Sequence, residues 1–101
     1  MGDGGGLLSY ALRNTILAYG TEGVSVPGSG SATSVSISFA GISKNDTVLI
    51  TYNQNASTTI TTNQVPWVYQ ITTGVGFDVT MNLDNADPSP ATILIEWVVL
   101  R

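Results

Sequence analysis

Apolar and polar residues alternate along most of the chain with the period of two that is typical of β-strands. In Ser34–Phe39 serine alternates with Val, Ile and Phe, and in Phe77–Leu83 polar residues alternate with Phe, Val, Met and Leu. From Ala91 to Leu100 both alternating sets are mostly apolar. A strand of that kind is typically covered on both faces, so we expect it at the centre of a sheet or in an interface.

Clusters of turn-forming residues separate these runs, at Pro27–Gly30, Gly41–Asp46, Thr72–Gly76 and Asp84–Pro90. About seven short strands result, and they predict an all-β protein, an antiparallel β-sandwich with a short N-terminal arm. The predicted strands are Gly23–Val26, Ser34–Phe39, Thr47–Asn53, Thr58–Thr62, Val65–Ile71, Phe77–Leu83 and Ala91–Leu100. The residues expected in the core are Val35, Ile37, Phe39, Leu49, Phe77, Val79, Ile95 and Trp97.

We place a boundary at Gly20, between an N-terminal part (residues 1–20) and a β-sandwich domain (residues 21–101). The N-terminal part is a Gly-rich tip followed by an arm, Leu7–Tyr19, whose spacing fits either a short helix or an extended segment. The arm is too apolar for a tail in water, and we expect it to fold back on its own domain, to pair with a sheet edge of another copy of the chain or to dock on a capsid protein. Its assembly residues are Leu7, Leu8, Tyr10, Leu12, Ile16, Leu17 and Tyr19.

Charged residues make up only 10% of the chain, against roughly 25% in an average protein. The net charge is −4 with three basic residues, which excludes the usual basic surface of a nucleic-acid-binding protein. No apolar run approaches the roughly 20 residues of a membrane-spanning helix. The first six residues lack the positively charged start of a signal peptide.

The chain contains no His and no Cys, so thiol nucleophiles, His-based acid–base catalysis and the usual zinc sites are excluded. Asp78, Asp84, Asp87 and Glu96 are carboxylates that a glycosidase could use, but few groups remain to act as acid or base. Asp84, Asn85 and Asp87 could also offer oxygen ligands to Ca²⁺, although Asp and Asn commonly cap turns in such loops. We expect no enzyme, no cofactor and no metal.

Four residues are candidates for a ligand-binding or interface surface: Tyr52, Asn53, Trp67 and Tyr69. An aromatic face can stack on the apolar face of a sugar ring, and the alternative is that these rings fill the core or an interface. Trp67 follows a proline near a loop and is the best candidate for exposure. Trp97 lies in an apolar strand and is expected in the core.

The last four-fifths of the chain contains an ordered series of strand patterns. They are Val24–Val26, Ser34–Phe39, Val48–Asn55, the stretch Thr72–Leu83 with its Gly-x-Gly-Phe-x-Val sequence, and the ending Ile95–Arg101. This series resembles the small β-sandwich domains at the tips of phage tail fibres and in other virion appendages, and it is similar to the related H-type lectin fold.

The resemblance implies a non-enzymatic structural protein at the virion surface, which decorates a capsid or forms the tip of a head or tail fibre. It also implies a homo-oligomer, most readily a trimer, with other virion proteins as partners. The alternative is an H-type-lectin-like receptor-binding module that recognises a cell-surface glycan. In H-type lectins the sugar site lies at a subunit interface and uses charged and aromatic residues, and this chain has few charges.

Overall fold

The computed structural model describes residues 15–53 and 60–101. These residues form an antiparallel β-sandwich of seven strands, as the alternation predicts, and the described part contains no helix. The strands are β1 (Ile16–Val26), β2 (Ser31–Ser38), β3 (Thr47–Tyr52), β4 (Ile60–Thr62), β5 (Trp67–Thr72), β6 (Gly76–Asn85) and β7 (Ala91–Leu100).

The strands form two sheets, each built around one central strand. Sheet A has the order β1-β7-β3, and sheet B places β6 between β2 on one side and β4 and β5 on the other. The central position of β7 agrees with its apolar sequence. In β6, Phe77 and Val79 are buried at the inner face while Asp78 and Thr80 point outward, so the period of two sets which face meets the core.

The core lies between the sheets and draws buried side chains from both. They are Val24, Val26, Ile37, Ile42, Phe77, Val79, Met81, Leu83, Ile93, Ile95 and Val99. The expected core residues Ile37, Phe77, Val79 and Ile95 are among them. Val35, Phe39 and Trp97 are partly buried and pack against this cluster.

The prediction that Leu49 belongs to the core is wrong. Leu49 pairs with Val98 on the outer face of sheet A, whereas its neighbour Val48 pairs with the fully buried Val99. Three consecutive apolar residues, from Val48 to Ile50, give no period that could distinguish the two faces. Pairing with β7 decides the face, and Val48 and Ile50 pack against the core.

The boundary that the sequence places at Gly20 lies inside β1. The strand begins at Ile16 and pairs with β7 along its whole length, with a register shift between Ile16 and Ala18. Gly20 lies opposite Trp97, and a Cβ atom at residue 20 would lie 2.7 Å from Cζ2 of the indole. Gly20 therefore makes room for Trp97, which packs edge-on to Phe77 with ring centroids 5.5 Å apart.

Candidate functional site

The two outer faces of the sandwich differ in chemistry, and the exposed candidates Trp67, Tyr69 and Tyr19 lie on them. The outer face of sheet B is polar. Along β6, Asp78 and Thr80 point outward and pair with Ser36 and Ser34 of β2. Ser36 Oγ donates a hydrogen bond of 2.6 Å to Asp78 Oδ1, which fixes the carboxylate on this face. The face therefore presents oxygen acceptors and hydroxyl groups on rigid strands.

Trp67 and Tyr69 of β5 form an exposed aromatic pair at the edge of sheet B. Their side chains are 52% and 50% exposed, and their ring centroids lie 6.1 Å apart with an interplanar angle of 72°. The register shifts between Val68 and Gln70, so Tyr69 is an extra residue in β5 and both Tyr69 and Gln70 are exposed. Such a bulge re-aims side chains at a sheet edge.

Tyr52 and Asn53 lie apart from this pair. Both line a cleft of about 570 Å³ together with Gln64 and Pro66. Tyr52 packs partly against the core and its hydroxyl donates to the Gln64 carbonyl oxygen at 3.1 Å. Partial burial raises the pKa of Tyr52, because the phenolate form is poorly solvated there. The four residues selected from the sequence thus belong to two separate surfaces.

The outer face of sheet A carries apolar side chains at Tyr19, Leu49, Leu94 and Val98, with the polar row of Thr21, Glu96 and Thr51 between Leu94 and the other three. Tyr19 is 78% exposed and pairs with Val98, which also pairs with Leu49, so the three side chains form one row across the sheet. Leu94 extends the apolar area along β7, and Glu96 lies between Leu94 and Val98. A groove of about 560 Å³ follows this face. Among its lining residues are Tyr19, Thr21, Leu49, Thr51, Glu96 and Val98.

The assembly residues of the arm divide at the start of the described chain. Leu7, Leu8, Tyr10 and Leu12 lie outside the described residues. Ile16 and Tyr19 are exposed on β1, at 60% and 78%, whereas Leu17 packs against the core. Thr15 leads into β1 beside the C-terminus, and its backbone exchanges two hydrogen bonds with Arg101, of 3.0 and 2.9 Å.

An ion pair that the sequence did not indicate closes the C-terminal end of the sandwich. Arg101 donates from Nε and Nη2 to the two carboxylate oxygens of Asp46, both at 3.0 Å, and from Nη2 to the Gly41 carbonyl oxygen. Ser43 N donates to Asp46 Oδ2 at 2.9 Å. These bonds, led by those from Arg101, hold the pKa of Asp46 below its ordinary value. The pair is 55 residues apart, so no local motif reveals it.

The loop between β6 and β7, which offered oxygen ligands to Ca²⁺, uses its polar groups within the fold. Asn85 is buried; its Nδ2 donates to the carbonyl oxygens of Val26 and Ser89, and its Oδ1 accepts from Asp87 N. Asp87 Oδ1 in turn accepts from Ser89 N. In residues 15–53 and 60–101, no three acidic side chains come together as a metal-binding group.

Within the same ranges, the chain contains no helix with the length and apolar character needed to cross a membrane. Comparison of the chain with models of known protein families, with curated proteins and with solved structures gives no significant match. The two outer faces are therefore the features of the molecule that bear on its function.

Proposed function

We propose that the protein is a non-enzymatic structural subunit of a virion, which decorates a capsid or forms the tip of a head or tail fibre. In this proposal it acts as a homo-oligomer, most readily a trimer, at the virion surface. The apolar outer face of sheet A is the observation that supports assembly most strongly. The resemblance of the strand series to phage appendage domains supports the virion setting and the trimer.

Exposure of apolar side chains to water on the outer face of sheet A is unfavourable. The outer face of an antiparallel sheet in a monomer is normally polar, as that of sheet B is. On sheet A, by contrast, the row of Tyr19, Val98 and Leu49 is apolar, as is Leu94, and the one carboxylate, Glu96, lies between them and pairs with Thr21 and Thr51. Burial of such apolar area is worth roughly 25 cal/mol per Å², which favours contact with another protein surface over water.

Light scattering on the purified full chain tests assembly. We expect an oligomer at micromolar concentration, and Tyr19→Asp or Leu94→Asp should shift it to monomer, because each places a second charge on the face near Glu96. Both residues are at least 38% exposed in the single chain, so the folding cost is small. Thr92→Asp is the matched control, since Thr92 is an exposed residue at the far end of the same face.

A shortened chain that begins at Thr15 lacks residues 1–14, and light scattering on it tests whether this part of the arm contributes to assembly. A start at Thr21 is unsuitable because it removes the part of β1 that pairs with Trp97 and Val98. If the full chain is monomeric, or if the two Asp variants remain oligomeric, the outer face of sheet A is not the assembly surface. Mass spectrometry of purified virus particles tests the virion setting, where stoichiometric copies of the chain are expected.

A further inference from the structure

We propose that the outer face of sheet B, around Trp67, binds an uncharged glycan chain. This inference is independent of the assembly proposed for sheet A, because it uses the opposite side of the sandwich. It concerns a surface defined by Trp67, Tyr69, Gln70, Asp78 and Thr80, which we call the aromatic platform.

The aromatic pair supplies the apolar half of sugar recognition. Trp67 and Tyr69 each leave about half of their surface open to solvent, and their nearly perpendicular rings hold one another in place. The face of an aromatic ring carries partial negative charge, which attracts the slightly positive C–H groups on the flat side of a sugar ring. Because the pair is on a strand, the rings are positioned before a ligand arrives.

The neighbouring side chains supply the polar half. The pairing of β5 with β6 places Thr80 beside Trp67 and Asp78 beside Gln70. The carboxylate of Asp78 accepts a hydrogen bond from Ser36 on one oxygen and has a second oxygen for a sugar hydroxyl. Hydrogen bonds to a charged acceptor are the stronger kind, so Asp78 is the best-placed group to fix the orientation of a sugar.

This composition favours a glycan over a protein partner. The centre of a protein–protein interface surrounds its aromatic residues with other apolar groups and has few charges. Around Trp67 the pairing partners on β6 and β2 are hydroxyl and carboxylate groups from Ser34, Ser36, Asp78 and Thr80. A ligand rich in hydroxyl groups satisfies these groups, whereas an apolar protein surface would leave them unpaired.

The charges around the platform favour a neutral ligand. Asp78 and Asp84 both project from β6 on this face, and an anionic sugar beside them would bring like charges together. Lys44 lines a groove with Tyr69 and Gln70 at the edge of the sandwich and is the residue that could attract an acidic sugar instead. A test of the proposal must therefore separate the contributions of Asp78 and Lys44.

Binding of the full chain and its variants to an array of neutral and acidic oligosaccharides separates the contribution of Asp78 from that of Lys44. We expect binding to neutral oligosaccharides, and Trp67→Ala should reduce it about tenfold, which is the scale of one lost stacking contact. Asp78→Asn should weaken binding and Lys44→Gln should leave it unchanged. Thr92→Ala is the control, because Thr92 is exposed on the outer face of sheet A, on the opposite side of the sandwich, and should not affect binding.

Three results would overturn the proposal. The first is that the chain binds no neutral oligosaccharide. The second is that it binds only acidic oligosaccharides and that Lys44→Gln abolishes this binding. The third is that Trp67→Ala changes the oligomeric state but leaves glycan binding unchanged. Circular dichroism of each variant verifies folding, and Trp67→Phe keeps an aromatic face and should retain part of the binding. Since light scattering on Tyr19→Asp reports assembly separately, failure of one proposal is distinguishable from failure of the other.

Discussion

Gly74, in the turn between β5 and β6, and Gly76, the first residue of β6, both contribute to stability. A Cβ atom on Gly76 would lie 2.0 Å from the carbonyl oxygen of Ile37, where β6 pairs with β2. Gly74 has open space around it but adopts φ +78°, a left-handed conformation that is unfavourable for other residues. Close packing and a positive φ of +156° therefore both constrain Gly76, whereas backbone conformation alone constrains Gly74.

Gly76→Ala should lower the free energy of unfolding by about 3 kcal/mol, because the added methyl group forces two paired strands apart. Gly74→Ala should cost about 1 kcal/mol, the penalty of the left-handed conformation alone. Urea denaturation of the two variants and the parent chain measures both values. Equal losses would show that the contact with Ile37 relaxes without cost.

Asp46 and Arg101 should make stability depend on acid pH. The pKa of Asp46 is lower in the folded chain than in the unfolded chain, where the pKa of an aspartate is about 3.9. As the pH falls, the unfolded state binds a proton first. The stabilisation is therefore complete above the unfolded pKa and is lost as the pH falls through the folded pKa.

Asp46→Asn should be less stable than the parent chain at pH 7 and should lose less stability on acidification. Arg101→Gln removes the main cause of the shift and should behave in the same way, and the double variant should add little to either single one. Thermal unfolding followed between about pH 7 and pH 3 measures these differences. A parent chain and an Asn variant with parallel pH profiles would contradict the assignment.

Strand β1 forms one edge of sheet A, and edge strands are prone to pair with other chains. Glu22 lies on the inward side of β1, opposite the fully buried Ile95, and is half-buried. An inward-pointing charge on an edge strand disfavours the addition of a further strand, because the carboxylate would be buried. Glu22 thus protects the edge of β1 against pairing with a strand from another chain.

Glu22→Val should keep or raise the melting temperature, since Val suits a position that faces Ile95. The variant should nevertheless form large particles at concentrations where the parent chain does not, as dynamic light scattering would reveal. Asp3→Asn removes the same charge from the N-terminal segment and controls for net charge. Aggregation of both variants to the same extent would assign the effect to net charge and not to the edge.

How well the sequence predicted an element depended on whether one of its faces is polar. The alternation in β6 gave its inner and outer residues correctly because Asp78 and Thr80 mark the outer face. In β3 the run Val48–Ile50 carries no such mark, and the face of Leu49 was assigned wrongly. At Gly20 a glycine suggested the end of an arm, yet its role is to accommodate Trp97 across the sheet, a contact that depends on tertiary structure.

At the scale of the whole molecule, the sandwich presents two outer faces of opposite character. The apolar face of sheet A and the aromatic platform of sheet B are separated by the core, so an assembly held together through sheet A leaves Trp67 and Tyr69 accessible. Several weak glycan sites on one oligomer would then act together, which raises the overall affinity without any new contact.

The candidate surfaces could be predicted only in part, because they depend on how the strands pair and not on the pattern within one strand. Aromatic residue type selected Tyr52, Trp67 and Tyr69, but only strand pairing shows that Tyr52 belongs to another cleft. Asp78 and Thr80 were recognised as polar positions of a strand. Their place beside Gln70 and Trp67 depends on the register between β5 and β6, which no local pattern encodes.

The order of strands in the sheets has a consequence for how the chain is made. Every strand pair in the described residues includes β6 or β7, so β1 to β5 have no partner among themselves. During translation these five strands are synthesised before residues 76–101 exist. The nascent chain must therefore stay unpaired until late in synthesis, and closure over such long sequence distances is slow. The part of the chain already synthesised carries many Thr, Ser and Asn residues, which hydrogen-bond to water. Its few basic residues give it little affinity for nucleic acid.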